Sequence, residues 1–133
     1  MYNLNKDIQN FNNYSFDLDG TLRDDFDGTF NSQKDEIQEI CKQLIKVGKN
    51  VNIITKRYDN DEKVLAYQIS DKLNIPRNKV FFTNREFKNG IIEKLNIQVH
   101  FDNTEYECQY IKAEFPNINV ICIEDPYWRD MVY

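Results

Sequence analysis

The sequence predicts an α/β fold, a parallel sheet with helices on both faces. Three observations carry that expectation. Five short apolar runs alternate with segments of helical period, the pattern of βαβ units with right-handed crossovers. The last run, residues 118–123, is the most continuously apolar, as a strand buried on both faces should be. The first run ends in two carboxylates, Asp17 and Asp19, followed at once by Gly20. This places polar chemistry at the carboxyl end of a strand, where open α/β sheets bind ligands.

The 133 residues suit a single domain over 1–133 with a sizeable core, and 41% hydrophobic with 14% aromatic content excludes disorder. A net charge of −5 excludes a global basic field for a nucleic-acid duplex. Cys41, Cys108 and Cys122 cannot all pair internally, and none lies in a Cys-x-x-Cys pair. Neither a disulfide framework nor a zinc site is expected, and a reducing, cytoplasmic setting fits best. No apolar run approaches the roughly 20 residues of a membrane span, and no signal-peptide core is visible, so no membrane partner is expected.

The elements follow in order. Residues 1–13 are polar with scattered apolar positions, a lead-in with at most a short irregular helix. Residues 14–18 form the first strand. Side chains at i and i+2 share a strand face, but Gly20 marks a turn, so Asp17 is placed at the tip and Asp19 in the loop beyond it. Residues 20–32 read as a charged loop, with Asp27-Gly28 between Phe26 and Phe30 as a hairpin turn. Asn31 or Ser32 is expected to N-cap a helix with Asp35 and Glu36 in its first turn. Ile37, Ile40, Cys41, Leu44, Ile45 and Val47 keep a 3.6-residue period, and Gly48 stands where the C′ residue should.

Residues 51–55 are the second strand. A helix over 60–74 should bury Val64, Leu65, Ile69 and Leu73, and Pro76 forbids its continuation. Residues 79–83 are the third strand, followed by a helix over 89–96 carrying Ile91, Ile92 and Leu95. The fourth strand covers 97–102. Its helix, 105–115, stops before Pro116 and starts with Thr104 as N-cap and Glu107 completing a capping box. The aromatic tail after residue 123 is expected to pack on the sheet. His100, the single histidine, shares the face of Asp102 but lies deeper, and reads as a satisfied core residue.

Two carboxylates as close as Asp17 and Asp19 repel unless a cation or proton lies between them, and a hard cation such as Mg²⁺ with oxygen ligands would resolve the conflict. The whole string Asp17-Leu18-Asp19-Gly20-Thr21-Leu22, directly after a strand, resembles the first motif of the haloacid dehalogenase (HAD) superfamily, whose members are mostly phosphatases. The resemblance spans about residues 14–123. It implies a three-layer Rossmann-like core, a five-stranded parallel sheet of order 5-4-1-2-3, and no cap domain, since only the 20–32 flap is long enough to cover anything.

The resemblance also implies roles. Asp17 would be the nucleophile that becomes an aspartyl-phosphate. Asp19 would be the general acid/base, its backbone carbonyl helping to hold Mg²⁺. Thr55, at the second strand tip, matches the residue that hydrogen-bonds the phosphoryl group. The motif's lysine falls near the start of the helix before strand four, where Lys88 is preferred over Lys94, which flanks that helix's apolar residues and reads as solvated. Asp102 matches the acidic metal ligand at the fourth strand tip. Asn103 stands where many relatives have a second Asp; its amide oxygen can still serve Mg²⁺ or a bound water, with one negative charge fewer.

Arg57 reads equally as a bidentate phosphate fork or as a surface salt bridge. Lys56 and Arg85, in the loops after strands two and three, are further substrate-binding candidates. With Arg23, Arg57 and Lys88 they are expected to converge on one sheet edge as a positive patch.

The expected function is a Mg²⁺-dependent phosphatase. It would hydrolyse a phosphomonoester, a nucleotide or a phosphorylated nucleic-acid end, through an aspartyl-phosphate, and an uncapped site would admit a macromolecule. Asn103 favours the alternative, a HAD-fold protein that grips a phosphate or a partner with weak or no catalysis. A third reading returns the phosphoryl group to an acceptor other than water. A small phosphorylated substrate fits all three, monomer and homo-oligomer are both compatible with the sequence, and specificity lies outside the motifs.

Overall fold

The computed structural model of the chain describes residues 2–24 and 33–133. In order, the elements are α1 (Lys6–Gln9), β1 (Asn13–Phe16), α2 (Lys34–Lys46), β2 (Asn50–Thr55), α3 (Lys63–Lys72), a 3₁₀ turn (Arg77–Lys79), β3 (Val80–Phe82), α4 (Asn89–Lys94), β4 (Val99–Asp102), α5 (Glu105–Glu114), β5 (Asn119–Cys122) and α6 (Trp128–Val132). The five strands form one all-parallel sheet of order β3-β2-β1-β4-β5, the expected order counted from the opposite edge. Among the described residues no helix is long and apolar enough to cross a membrane.

Strand alternation sorts the side chains into two layers. Tyr14, Phe16, Val51, Ile53, Val99, Phe101 and Ile121 join the apolar stripe of α2, Ala66 and Leu73 from the α3 region, and Trp128 and Val132 of α6. The intervening positions Ile54 and Val120 pack with Ile92 of α4 and with Cys108 and Ile111 of α5. This second face also carries the polar positions Ser15, Asn52 and His100, all buried. Fully burying one Leu, Ile or Phe side chain stabilises by about 1.5–3 kcal/mol, so the first layer carries most of the stability and leaves the second free to hold polar groups.

Helix ends follow local chemistry where they can. α2 stops in a Schellman arrangement: Gly48 takes φ +86°, its N–H donates to the Ile45 carbonyl, and Lys49 N–H donates to the Leu44 carbonyl. Gln33 holds its N-cap position without a side-chain cap to the helix N–H groups. The expected caps Asn31 and Ser32, and the Asp27-Gly28 turn between Phe26 and Phe30, lie outside the described residues. Thr104 occupies the N-cap of α5 in extended conformation, but its side chain caps nothing, and Glu107 binds Lys56 at 2.6 Å instead. The capping box expected there does not form, because a cross-sheet ion pair takes its carboxylate.

The buried face of α3 also differs from expectation. Ala66, Ser70 and Leu73 are buried, while Val64 and Leu65 are exposed. Positions 66, 70 and 73 share one helical face at i, i+4 and i+7. Two small residues there allow the helix to pack closely, which hydrophobicity alone does not signal. The tail packs as expected: Trp128 is fully buried, and Arg129 and Tyr133 both bind Glu36 of α2.

From β1 the chain builds outward through β2 and β3, then returns to the other side of β1 for β4 and β5. That reversal opens a crevice beyond the carboxyl ends of β1 and β4, the general ligand position in open α/β sheets.

Candidate active site

The register of β1 on β4 pairs Ser15 with His100 and Phe16 with Phe101. One step on, Asp17 N–H still donates to the Phe101 carbonyl at 2.8 Å, so Asp17 and Asp102 emerge side by side on the same face. Both are buried. Lys88 stands at the N-cap of α4 and is 1% exposed, and its Nζ lies 2.7 Å from Asp17 Oδ1 and 2.6 Å from Asp102 Oδ2. Lys94, two turns along the same helix, is exposed. Of the two lysines named from the sequence, the fold brings Lys88 to the carboxylates.

One ammonium cannot neutralise two carboxylates, so the cluster carries a surplus negative charge. Burial, and then repulsion from Asp102, push the Asp17 carboxyl up to about 7 despite the attraction of Lys88. Burial also opposes ionisation of Asp102, but Lys88 and the His100 hydrogen bond outweigh it and hold that carboxyl well below the usual range. For Lys88 burial favours the neutral amine, yet Asp102 and Asp17 outweigh it and hold the ammonium charged.

His100 is fully buried, with Nδ1 2.7 Å from Ser15 Oγ and Nε2 2.9 Å from Asp102 Oδ2. Burial lowers its pKa, so a neutral ring accepts from Ser15 and donates to Asp102. It is the satisfied core histidine expected, and it orients one member of the cluster.

Gly20, at φ +81°, turns the chain after Leu18, whose carbonyl accepts from the N–H groups of Thr21, Leu22 and Arg23. The turn returns Thr21 to donate to Asp17 Oδ2 at 3.1 Å. It also presents Asp19 to two arginines. Arg57 Nε and Nη2 donate to Asp19 Oδ2 and Oδ1, both at 2.9 Å, and Arg23 Nη1 donates to Oδ1 at 2.5 Å. Arg57 is 3% exposed, and its Nη1 donates to the Glu62 carbonyl at 3.0 Å. It is therefore no surface salt bridge: its fork lies buried against Asp19.

Asn103 completes the floor. One terminal atom of its amide lies 2.9 Å from Asp17 Oδ2 and 3.1 Å from the Asp19 carbonyl oxygen. With nitrogen in that position, the amide donates to both. With oxygen there, it lies at those distances from two other oxygens, close to the roughly 2.9 Å that separates neighbouring oxygens around octahedral Mg²⁺ with ligands at about 2.0–2.1 Å. Among the described residues no three acidic, histidine or cysteine side chains group as a metal centre. The donors here are one carboxylate, one amide and one backbone carbonyl. Asp102 stands behind them, with Oδ2 engaged by Lys88 and His100 and Oδ1 by the Thr104 N–H at 3.2 Å.

These groups line a cavity of about 560 Å³, a size typical of small-molecule sites. Asp17, Asp19, Thr55, Lys56, Arg57, Arg85, Lys88 and Asn103 all reach it, and Asp102 does not. Thr55 is buried at the tip of β2, where its hydroxyl accepts from the Arg57 N–H at 3.2 Å. No protein-family model and no curated protein matches the chain. The reading of the cavity therefore rests on its geometry and on the motif at residues 17–22.

The expected positive patch is not what the cations form. Each pairs with a carboxylate: Arg23 and Arg57 with Asp19, Lys56 with Glu107, Arg85 with Glu62, and Lys88 with Asp17 and Asp102. They converge as expected, but local charges cancel. Glu62 and Glu107 do not announce themselves in the sequence as partners of these cations, because Arg85 and Lys56 lie 23 and 51 positions away. The turn after β3 was also hidden. Asn84 and Arg85 adopt φ +55° and +69°, and Arg85 N–H and Nη1 both donate to the Lys56 carbonyl at 2.8 Å. Asn signals such a turn; an arginine in the left-handed region does not, and costs strain that recurs beside functional sites.

Proposed function

We propose that the protein is a Mg²⁺-dependent phosphatase of HAD type that hydrolyses a phosphomonoester through an aspartyl-phosphate. The observation that carries this reading is the meeting of the Asp17 carboxylate, the Asp19 carbonyl and the Asn103 amide at the tip of the central strand, with Lys88 on Asp17. Asp17, Asn103 and the Asp19 carbonyl would hold the ion, which supplies charge neutralisation for the phosphoryl oxygens and for Asp17. Asp17 attacks phosphorus as the bond to the leaving oxygen breaks, and Asp19 delivers the proton that the leaving oxygen takes. Asp19 then recovers a proton from the water that hydrolyses the aspartyl-phosphate. Lys88 steadies Asp17, and the Thr55 hydroxyl and Lys88 offer donors to the phosphoryl oxygens. For proton transfer the Arg57 fork has to release Asp19, which frees a bidentate donor for the phosphate.

The test is phosphate release from an aryl phosphate with and without Mg²⁺. Chelation should abolish turnover and Mg²⁺ should restore it; full activity in chelator would exclude the metal. Added acceptor alcohols should not divert the phosphoryl group. Because the cations are paired, kcat/KM should change by less than about tenfold as salt rises, the lower end of electrostatic steering. A steeper loss would show that the ion pairs open and the cations attract substrate.

One observation favours a second reading, a phosphate-gripping protein without turnover. Both oxygens of Asp19 are held by guanidinium donors. Phosphate binding without release of product from any phosphomonoester would support that reading.

A further inference from the structure

We propose that Phe87, Tyr106 and Tyr110 form a stacking shelf for a nucleobase, which makes the phosphomonoester a nucleotide or the terminal nucleotide of a single strand. This rests on the phosphatase reading and adds the group that the site recognises.

The three rings come from two elements. Phe87 immediately precedes Lys88, and Tyr106 and Tyr110 lie one turn apart on α5. They are 39%, 54% and 46% exposed and belong to neither core layer. Yet they are ordered against one another. Phe87 stacks on Tyr110 with centroids 3.9 Å apart at 10°, and meets Tyr106 edge-on at 6.0 Å. Three large rings held together in solvent leave apolar surface wet, which a protein keeps where something covers it.

The shelf is continuous with the site. Tyr106 lines the same cavity as Asp17. Lys56 Nζ lies 5.4 Å from the Phe87 centroid and 5.6 Å from that of Tyr106, fixed there by Glu107 at 2.6 Å. A ligand spanning the cavity therefore meets phosphate chemistry at Asp17 and, toward Tyr106, a cation beside aromatic rings. Glu107 is buried and serves to anchor that lysine, not to meet the ligand. A nucleotide presents a phosphate at one end and a flat ring at the other. Stacking on aromatic side chains is worth about 1–3 kcal/mol per base and tolerates any base. The net charge of −5 and the paired cations disfavour a duplex, whose binding needs several unpaired cations along the backbone.

The experiment titrates adenosine 5′-monophosphate into the full chain in chelator, and compares it with glycerol phosphate as a ligand without a ring. Tyr106→Ala and Tyr110→Ala should each weaken the nucleotide about tenfold relative to glycerol phosphate, and Tyr106→Phe should retain it. Equal weakening of both ligands, or none, would overturn the shelf. So would tighter binding of a phosphotyrosine peptide than of the nucleotide, which would make the rings a protein-docking face. Single strands phosphorylated at the 5′ or 3′ end, compared with the mononucleotide, separate a nucleic-acid end from a free nucleotide. Turnover is scored separately. A nucleotide bound through the rings but never hydrolysed would sink the phosphatase reading and leave the shelf standing. Hydrolysis of glycerol phosphate with no nucleotide preference would do the reverse.

Discussion

Replacing Lys88 with methionine is expected to cost the fold about 3–5 kcal/mol, and Lys94→Ala almost nothing. Lys88 is the ammonium that bridges Asp17 and Asp102, at 2.7 and 2.6 Å, in a pocket where both carboxylates are buried. Methionine keeps most of the stem and its packing, so the loss reports the charge. Removing it leaves two carboxylates facing each other with little water to screen them, the case in which breaking a buried ion pair is most costly. Lys94 is exposed, and its removal touches no such partner. The measurement is the urea midpoint of each variant. A second substitution separates charge from packing: adding Asp17→Asn to Lys88→Met should recover part of the loss, because one of the two uncompensated charges is gone. Additive effects would show that the pair does not couple through Lys88. In the folded fraction, Lys88→Met should also lower kcat/KM by at least about 2 kcal/mol of transition-state stabilisation. A larger effect from Lys94 than from Lys88 on either measure would reverse this assignment.

The sheet was legible because its signals are local. β-period runs, the Gly20 and Gly48 punctuation and the prolines at 76 and 116 each act within a few residues, and together they mark five strands along the chain, whereas the order β3-β2-β1-β4-β5 was implied by the family resemblance. Asp102 and Lys88 were named as partners of Asp17 by the resemblance, and the structure brings all three together, with Lys88 at the N-cap of α4. Partner choice was not legible, because it is decided across the fold. Arg57 could have been a free phosphate fork or a surface pair; its buried bond to Asp19 spans 38 positions. Glu107 fitted a capping box three residues from Thr104, and the ion pair to Lys56, 51 positions away, outcompeted it. In α3, Ala66 and Ser70 face the sheet because small side chains let the helix approach, a packing effect that a hydrophobicity pattern centred on Val64 and Leu65 conceals.

Asp17→Asn should lower phosphate release by a factor on the order of 10⁴ or more, the scale seen when a covalent nucleophile is removed. The amide keeps the shape of the carboxylate, so Thr21 retains an acceptor and Lys88 retains Asp102. What it loses is the negative charge, which the attack on phosphorus needs and which would draw a divalent ion. Asp19→Asn should slow turnover by roughly 10² instead, as for a lost general acid or base, because the nucleophile and the ion site survive. The same substitution at Asp17 should make the metal-free protein more stable, since it removes a buried charge that burial and Asp102 both oppose. Mg²⁺ should raise the Tm of the wild type by mass action and raise that of Asp17→Asn much less. Activity and stability thus move in opposite directions at one residue, which a merely structural aspartate would not produce. Wild-type turnover by Asp17→Asn would end the covalent mechanism. A wild type stabilised by Mg²⁺ but inactive on every phosphomonoester would leave the ion site standing and move the protein to the binding reading.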